Sequence, residues 1–174
     1  MAKGYTGDMV IQLLRERGVT SAIINLGGNV QTIGTKPDGT RWRIGVKAPN
    51  AEDNFAILEV VDSAVVTSGG YERYFTDETG KVYWHILDPS TGKPADRGLS
   101  SVTIVGPEGR MCDSLSTALF VMGVEEAAAY WRKKGGFEMI LYTQDNTILI
   151  TEGLVDSFTL RDAFAQLPVT VIRP

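Results

Sequence analysis

Apolar residues recur at helical spacing over residues 5–17, where Met9, Val10, Leu13 and Leu14 fall on one side, so the pattern predicts an amphipathic helix. Gly18 follows as its stop, and Asp8 falls in the predicted first turn, where a negative charge suits the helix dipole. The period then shortens. Residues 22–26 form a short buried-strand pattern that breaks at Gly27-Gly28 and resumes over 30–33. Beyond the turn signal Pro37-Asp38-Gly39, Trp42, Ile44 and Val46 alternate as on a strand. Residues 58–66 read as one apolar, β-branched segment ending at Ser68-Gly69-Gly70. Residues 71–75 and 82–87, around 77–80, predict a β-hairpin, and 88–94 are dense enough in turn residues to predict a loop. A further strand is expected over 99–105, then two consecutive helices over 113–122 and 124–133, divided at Gly123. Strands over 139–143 and 148–151 flank the turn at Asp145-Asn146, and past Gly153 the pattern names no element.

Strands mostly follow strands, with helices at the start and in one central block. That order predicts an α+β fold with a largely antiparallel sheet, in a single domain over residues 1–174. No internal repeat, low-complexity tract or linker interrupts it.

Composition narrows the function classes. Hydrophobic residues make up 43% of the 174 and charged residues 22%, as in ordinary globular proteins. A net charge of −4, with Lys and Arg scattered, gives no basic stripe for nucleic acid. Cys112 is the only cysteine and His85 the only histidine, which excludes an internal disulfide, a cysteine zinc site and a zinc site of several imidazoles. Any metal is therefore expected to be a hard cation held by oxygen. No apolar stretch approaches the roughly 20 residues that span a bilayer. Met1-Ala2-Lys3-Gly4 has no apolar run behind it, so it is no signal peptide, and its abrupt entry into helix fits either a natural chain that begins earlier or a naturally short protein.

Four clusters carry candidate chemistry. In Asp113-Ser114-Leu115-Ser116-Thr117, Asp113 and Thr117 are four apart and share a helix face, with Ser116 beside them. A carboxylate and hydroxyls so placed supply part of a magnesium or calcium shell, or else Asp113 caps the helix. His85 ends a hairpin strand and feeds a turn-rich loop; it is either structural or a proton-handling group, since imidazole titrates near neutrality. Paired glycines in Asn25-Leu26-Gly27-Gly28-Asn29 and Ser68-Gly69-Gly70-Tyr71-Glu72-Arg73 either admit a ligand close to the backbone or mark bulges and turns. Neither stretch is a Rossmann fingerprint, and no Walker A sequence is present. Lys3, at the head of the first helix, either donates to a phosphate or is a solvated terminal lysine.

These clusters, in this order, resemble the ApbE-like FAD:protein FMN transferases, also called thiamine-biosynthesis lipoproteins. The matching stretches are AKGYTGDMV from Ala2, INLGGNVQTIG from Ile24, SGGYERYF from Ser68, HILDPSTGKP from His85 and CDSLSTALFVMG from Cys112. The resemblance implies a T-fold-like domain that binds FAD with magnesium and transfers FMN to a Ser or Thr of a target protein, releasing AMP. Some relatives instead hydrolyse FAD to FMN and AMP. Carried over by position, Asp113 and Thr117 would ligate the metal with Ser116 in the shell. Lys3 would touch FAD, Ile86 or Leu87 would pack on it, and His85 would handle the proton. That fits the chemistry, because cleaving a pyrophosphate needs a cation against the developing charge and a base for the acceptor hydroxyl. Family members carry a long segment ahead of Ala-Lys-Gly. The resemblance thus implies a C-terminal portion, with any export signal and lipid anchor (periplasm or cell surface) in the other part. A flavin-binding module without turnover is the alternative.

Overall fold

The structure is a computed structural model describing residues 1–49, 51–71 and 73–174; Glu72, in the first arm of the expected hairpin, lies outside the described residues. Helix α1 (Ala2–Glu16) is followed by β1 (Ala22–Leu26), β2 (Asn29–Ile33), β3 (Trp42–Lys47), β4 (Asn54–Val60) and β5 (Ala64–Gly69). A hairpin, β6 (Tyr74–Thr76) with β7 (Val82–Trp84), and a short ladder, β8 (Leu87–Asp88) with β9 (Lys93–Pro94), lead into the long strand β10 (Leu99–Gly106). Helices α2 (Gly109–Met122) and α3 (Val124–Lys134) precede β11 (Glu138–Thr143), β12 (Ile148–Thr151), β13 (Phe158–Leu160) and β14 (Val169–Ile172). The fold is α+β. Its large sheet runs β1-β2-β5-β10-β11-β12-β14 and is antiparallel except where β14 joins β12 in parallel.

Strand alternation sets the layers. On β11, Met139 and Leu141 pack among the helices, while Ile140 and Tyr142 face a smaller sheet of β13, β4 and β3. β10 does the same with Val102 and Ile104 against Val105, so it is apolar on both faces and reads as a near-continuous apolar run. Phe55 and Leu58 fill the space between the sheets, and Phe120 and Leu119 the space under the helices.

The structure differs from the pattern in four places. The apolar segment over 58–66 is two strands, because the chain turns at Val61-Asp62-Ser63 with Asp62 at φ 46°. The Asp62 carboxylate holds that turn, accepting from the Gly34 N–H at 2.9 Å and from Arg15 at 2.7 Å. The central helix starts at Gly109, a full turn before Asp113, which overturns the reading of Asp113 as its cap. α1 starts at Ala2, so Asp8 lies beyond its first turn and does not serve its own dipole. Past Gly153, β13 pairs with β4 and β14 with β12. Strands of three or four residues are too short to display a period.

Asp8 and Asp113 instead cap each other's helices. Asp8 accepts from the N–H groups of Gly109 at 2.6 Å and Arg110 at 3.0 Å, the first turn of α2. Asp113 accepts from the Gly4 N–H at 2.8 Å, in the first turn of α1. Each carboxylate thereby satisfies orphan donors at the positive end of the facing helix. The exchange requires close approach, and glycine allows it: a Cβ on Gly4 would lie 2.3 Å from the Gly109 carbonyl oxygen. Gln31 of β2 ties the pair to the sheet, its Nε2 donating to the Gly4 carbonyl at 3.1 Å.

Two outcomes are expected. Alanine normally stabilises a helix relative to glycine by about 0.5–1 kcal/mol, but Gly4→Ala meets unyielding backbone and should cost about 1–3 kcal/mol in urea unfolding. Gly7→Ala, whose Cβ meets only the Gln31 side chain, should cost less; equal or reversed effects would disprove the tight crossing. For Asp62, first the Gly34 N–H and then Arg15 hold the carboxyl below its usual range. Its contribution is full above the unfolded carboxylate pKa and is lost as pH falls through the folded value. The melting-temperature gap between wild type and Asp62→Asn should therefore narrow on acidification below about pH 4.

Candidate active site

The crossing of α1 and α2 forms one wall of a cavity of about 460 Å³, closed by the β1–β2 turn and the end of β5. Lys3, His85, Asp113 and Thr117 line it together, although they come from distant parts of the chain. Both glycine stretches contribute as well, through Gly27 and Gly28 on one side and Ser68 and Gly69 on the other.

Each side chain is placed by a local cause. Lys3 leaves the first turn of α1 and donates from Nζ to the Gly27 carbonyl at 2.8 Å. The turn beneath it holds Gly27 at φ 60° and Gly28 at φ 87°, a left-handed pair that residues with a Cβ adopt at a cost. Asp113 and Thr117 fall on one face of α2, one turn apart. The Asp113 Oδ2 receives the Gly4 N–H and lies 3.2 Å from the Met1 amino group, while Oδ1 forms no bond among the described residues. The Thr117 hydroxyl is 3.1 Å from the Ser68 Oγ.

His85 follows β7 and is exposed at the cavity. Its backbone N–H donates to the Arg73 carbonyl at 3.1 Å, and its Nδ1 lies 3.2 Å from the same oxygen. A carbonyl only accepts, so Nδ1 carries a proton, and in the neutral ring the lone pair is on Nε2. The loop behind it is tied by Asp88, which accepts from the Ser90 hydroxyl at 2.6 Å and the Ser90 N–H at 2.9 Å. Those bonds, with Arg97 nearby, hold the Asp88 carboxyl below its usual range.

Three of the residues singled out by sequence stand elsewhere. Ser116 is fully buried, its hydroxyl bonded to Ser68 Oγ at 2.8 Å and to the Asp113 carbonyl at 3.1 Å, because one step round the helix from Thr117 points into the core. Ile86 packs in the helix-side core, and Leu87 lies on the surface; neither lines this cavity. Cys112 is buried, which pushes its thiol up to about 12 and leaves it un-ionised.

The cavity also gathers groups that spacing did not mark, among them Lys47 and Arg73, so three cationic side chains face the single carboxylate of Asp113 among the described residues. Such a wall suits an anion. Among the described residues no three His, Cys, Asp or Glu side chains converge as a metal cage. The oxygen set of Asp113 and Thr117 nevertheless fits a hard cation of the magnesium kind, which takes one or two carboxylates and completes its shell with phosphate oxygens and water.

Comparison with known proteins gives the chain's family. The ApbE family model matches residues 1–141. An FAD:protein FMN transferase of Treponema pallidum is 35% identical over 173 residues, 94% of this chain and 48% of that protein. One of Klebsiella pneumoniae is 41% identical over 153 residues, 87% of this chain and 46% of its own length. The crystal structure of the ApbE protein of Thermotoga maritima superposes with a TM-score of 0.80 at 38% identity, covering 87% of this chain and 50% of that one. The apo flavinyl transferase ApbE of Pseudomonas stutzeri gives 0.69 at 34% identity, over 94% of this chain and 48% of that one. The chain spans about half the length of these relatives. With a family match over most of its residues and such identity across nearly its whole length, the chain belongs to the ApbE family.

Proposed function

We propose that this chain forms the catalytic part of a magnesium-dependent transferase that moves FMN from FAD to a Ser or Thr of a target protein, releasing AMP. The observation that carries the reading is the convergence of Lys3, His85, Asp113 and Thr117 on one cationic cavity, in a chain whose relatives are named FAD:protein FMN transferases.

The chemistry follows from what each group offers. The acceptor hydroxyl oxygen forms a bond to the phosphorus on the FMN side of the pyrophosphate. The bond from that phosphorus to the bridging oxygen breaks, and AMP leaves with the electron pair. The hydroxyl proton goes to Nε2 of His85, whose Nδ1 the Arg73 carbonyl holds in the required tautomer. Lys3 and Arg73 hold the anionic substrate against the glycine turns. When bound, magnesium held by Asp113 and Thr117 supplies neutralisation of the charge that develops on the pyrophosphate oxygens.

The test joins the chain to the remaining half that its relatives carry and supplies FAD, magnesium and a threonine-bearing target protein. Covalently flavinylated product is expected. FMN and AMP without labelling would show hydrolysis instead, and binding without AMP release would reduce the chain to a flavin-binding module. In the same assay His85→Ala should lower transfer by roughly 10²–10⁴-fold with FAD affinity little changed. Near-wild-type transfer by this variant would remove the base from the mechanism. Asp113→Asn keeps an oxygen for the Gly4 N–H, so its folding should survive while its magnesium requirement rises sharply. Full activity of Asp113→Asn at limiting magnesium would show that the carboxylate serves only the helix crossing.

A further inference from the structure

The floor of the cavity holds a polar side chain that has no part in the steps above. Asn29 is 2% exposed, and neither its Oδ1 nor its Nδ2 has a hydrogen-bond partner among the described residues. A buried carboxamide unpaired at both ends is costly and rare in protein interiors, and a ligand is one way to complete it. Asn29 lines the same cavity as Lys3, Asp113 and Thr117.

Strand register says which end of the cavity it serves. Asn29 and Gln31 are two apart on β2 and share a face. Gln31 reaches the Gly4 carbonyl of α1, so that face looks toward the helices. Across the ladder Asn29 pairs with Val66, two residues from Ser68, whose hydroxyl meets Ser116 and Thr117. The carboxamide therefore lies on the side where the first turn of α1 meets the Asp113–Thr117 turn of α2.

Resting on the transferase reading, we infer that Asn29 is a substrate-positioning residue whose Nδ2 donates to a pyrophosphate oxygen beside Lys3, Asp113 and Thr117. Its Oδ1 accepts from water bound with that anion. A neutral amide suits the position, because it offers a donor to the anion without adding a second negative charge beside Asp113.

The test compares wild type, Asn29→Leu and Asn29→Ala, each joined to the remaining half that the relatives carry. Titration calorimetry with FAD, with ADP plus magnesium, with inorganic pyrophosphate plus magnesium and with riboflavin is set beside thermal unfolding without ligand. Both variants should bind FAD, ADP and pyrophosphate about ten- to a hundredfold more weakly, the usual effect of losing a hydrogen bond to a charged group. Riboflavin affinity should be unchanged, and Asn29→Leu should melt no lower than wild type, since an unpaired polar group has been removed. Unchanged ADP and pyrophosphate affinity would overturn the assignment; with a lowered melting temperature it would identify the amide as the seat of a structural water. A loss confined to FAD and riboflavin would place the amide at the ring and overturn it equally. Failure of the wild type to bind FAD or ADP would instead bring down the transferase reading, and this inference with it.

Discussion

The exchange of carboxylates between α1 and α2 is the contact on which the rest of the site depends. A helix N-terminus presents unpaired N–H groups and a partial positive charge, and here each is met by an aspartate from the opposite helix. The two carboxylates act in opposite directions across one crossing, so they fix the sliding of one helix along the other as well as the spacing. The crossing closes only because Gly4 meets Gly109 backbone to backbone, leaving no room for a Cβ. Lys3 is carried over the Gly27-Gly28 turn by the same first turn of α1 that receives Asp113. Asp113 thus belongs to the packing, through Oδ2, and to the lining of the cavity at once.

The opposite wall is built by backbone rather than by packing. His85 lies on the hairpin side of the molecule, away from the helix crossing, and the Arg73 carbonyl sets both its backbone and its ring. A side chain held only by its neighbours would be free to rotate away. The bond to Nδ1 limits that freedom and decides which nitrogen is basic. Behind it, the short ladder of β8 and β9 and the Asp88 carboxylate keep the 88–94 loop in place. The contrast with Cys112 is instructive, because that thiol lies in α2 one residue before Asp113 yet faces the core. Its burial keeps it protonated and out of the chemistry.

Much of this protein was legible along the chain because its information is local. The period of Met9 to Leu14, the alternation of Trp42, Ile44 and Val46 and the glycine at 123 each act over a few residues. The helix, strand and break they predict appear, although Met9 and Leu13 stay exposed and the 88–94 loop is a turn closed by the β8–β9 ladder. The spacing of Asp113 and Thr117 likewise puts them on one face, since one helical turn is a local fact. The composition excluded a site of several cysteines or several imidazoles, for the chain has one of each. What the sequence could not express were relations between residues far apart in it. Asp8 looked like a first-turn charge serving its own helix dipole and Asp113 like a cap of its own helix, and their true partners lie 101 and 109 positions away. Asn29 and Gln31 alternate with Val30 as polar residues on an exposed face would, yet the tertiary fold buries both by laying helices over that face. Ser116 and Ile86 share their motifs with cavity residues but face the core, because which side of an element meets solvent is decided by what packs against the other side. Residue types and local periods are properties of neighbours in the chain. The site is a property of neighbours in space, and only the closed helix crossing and the sheet beneath it bring those together.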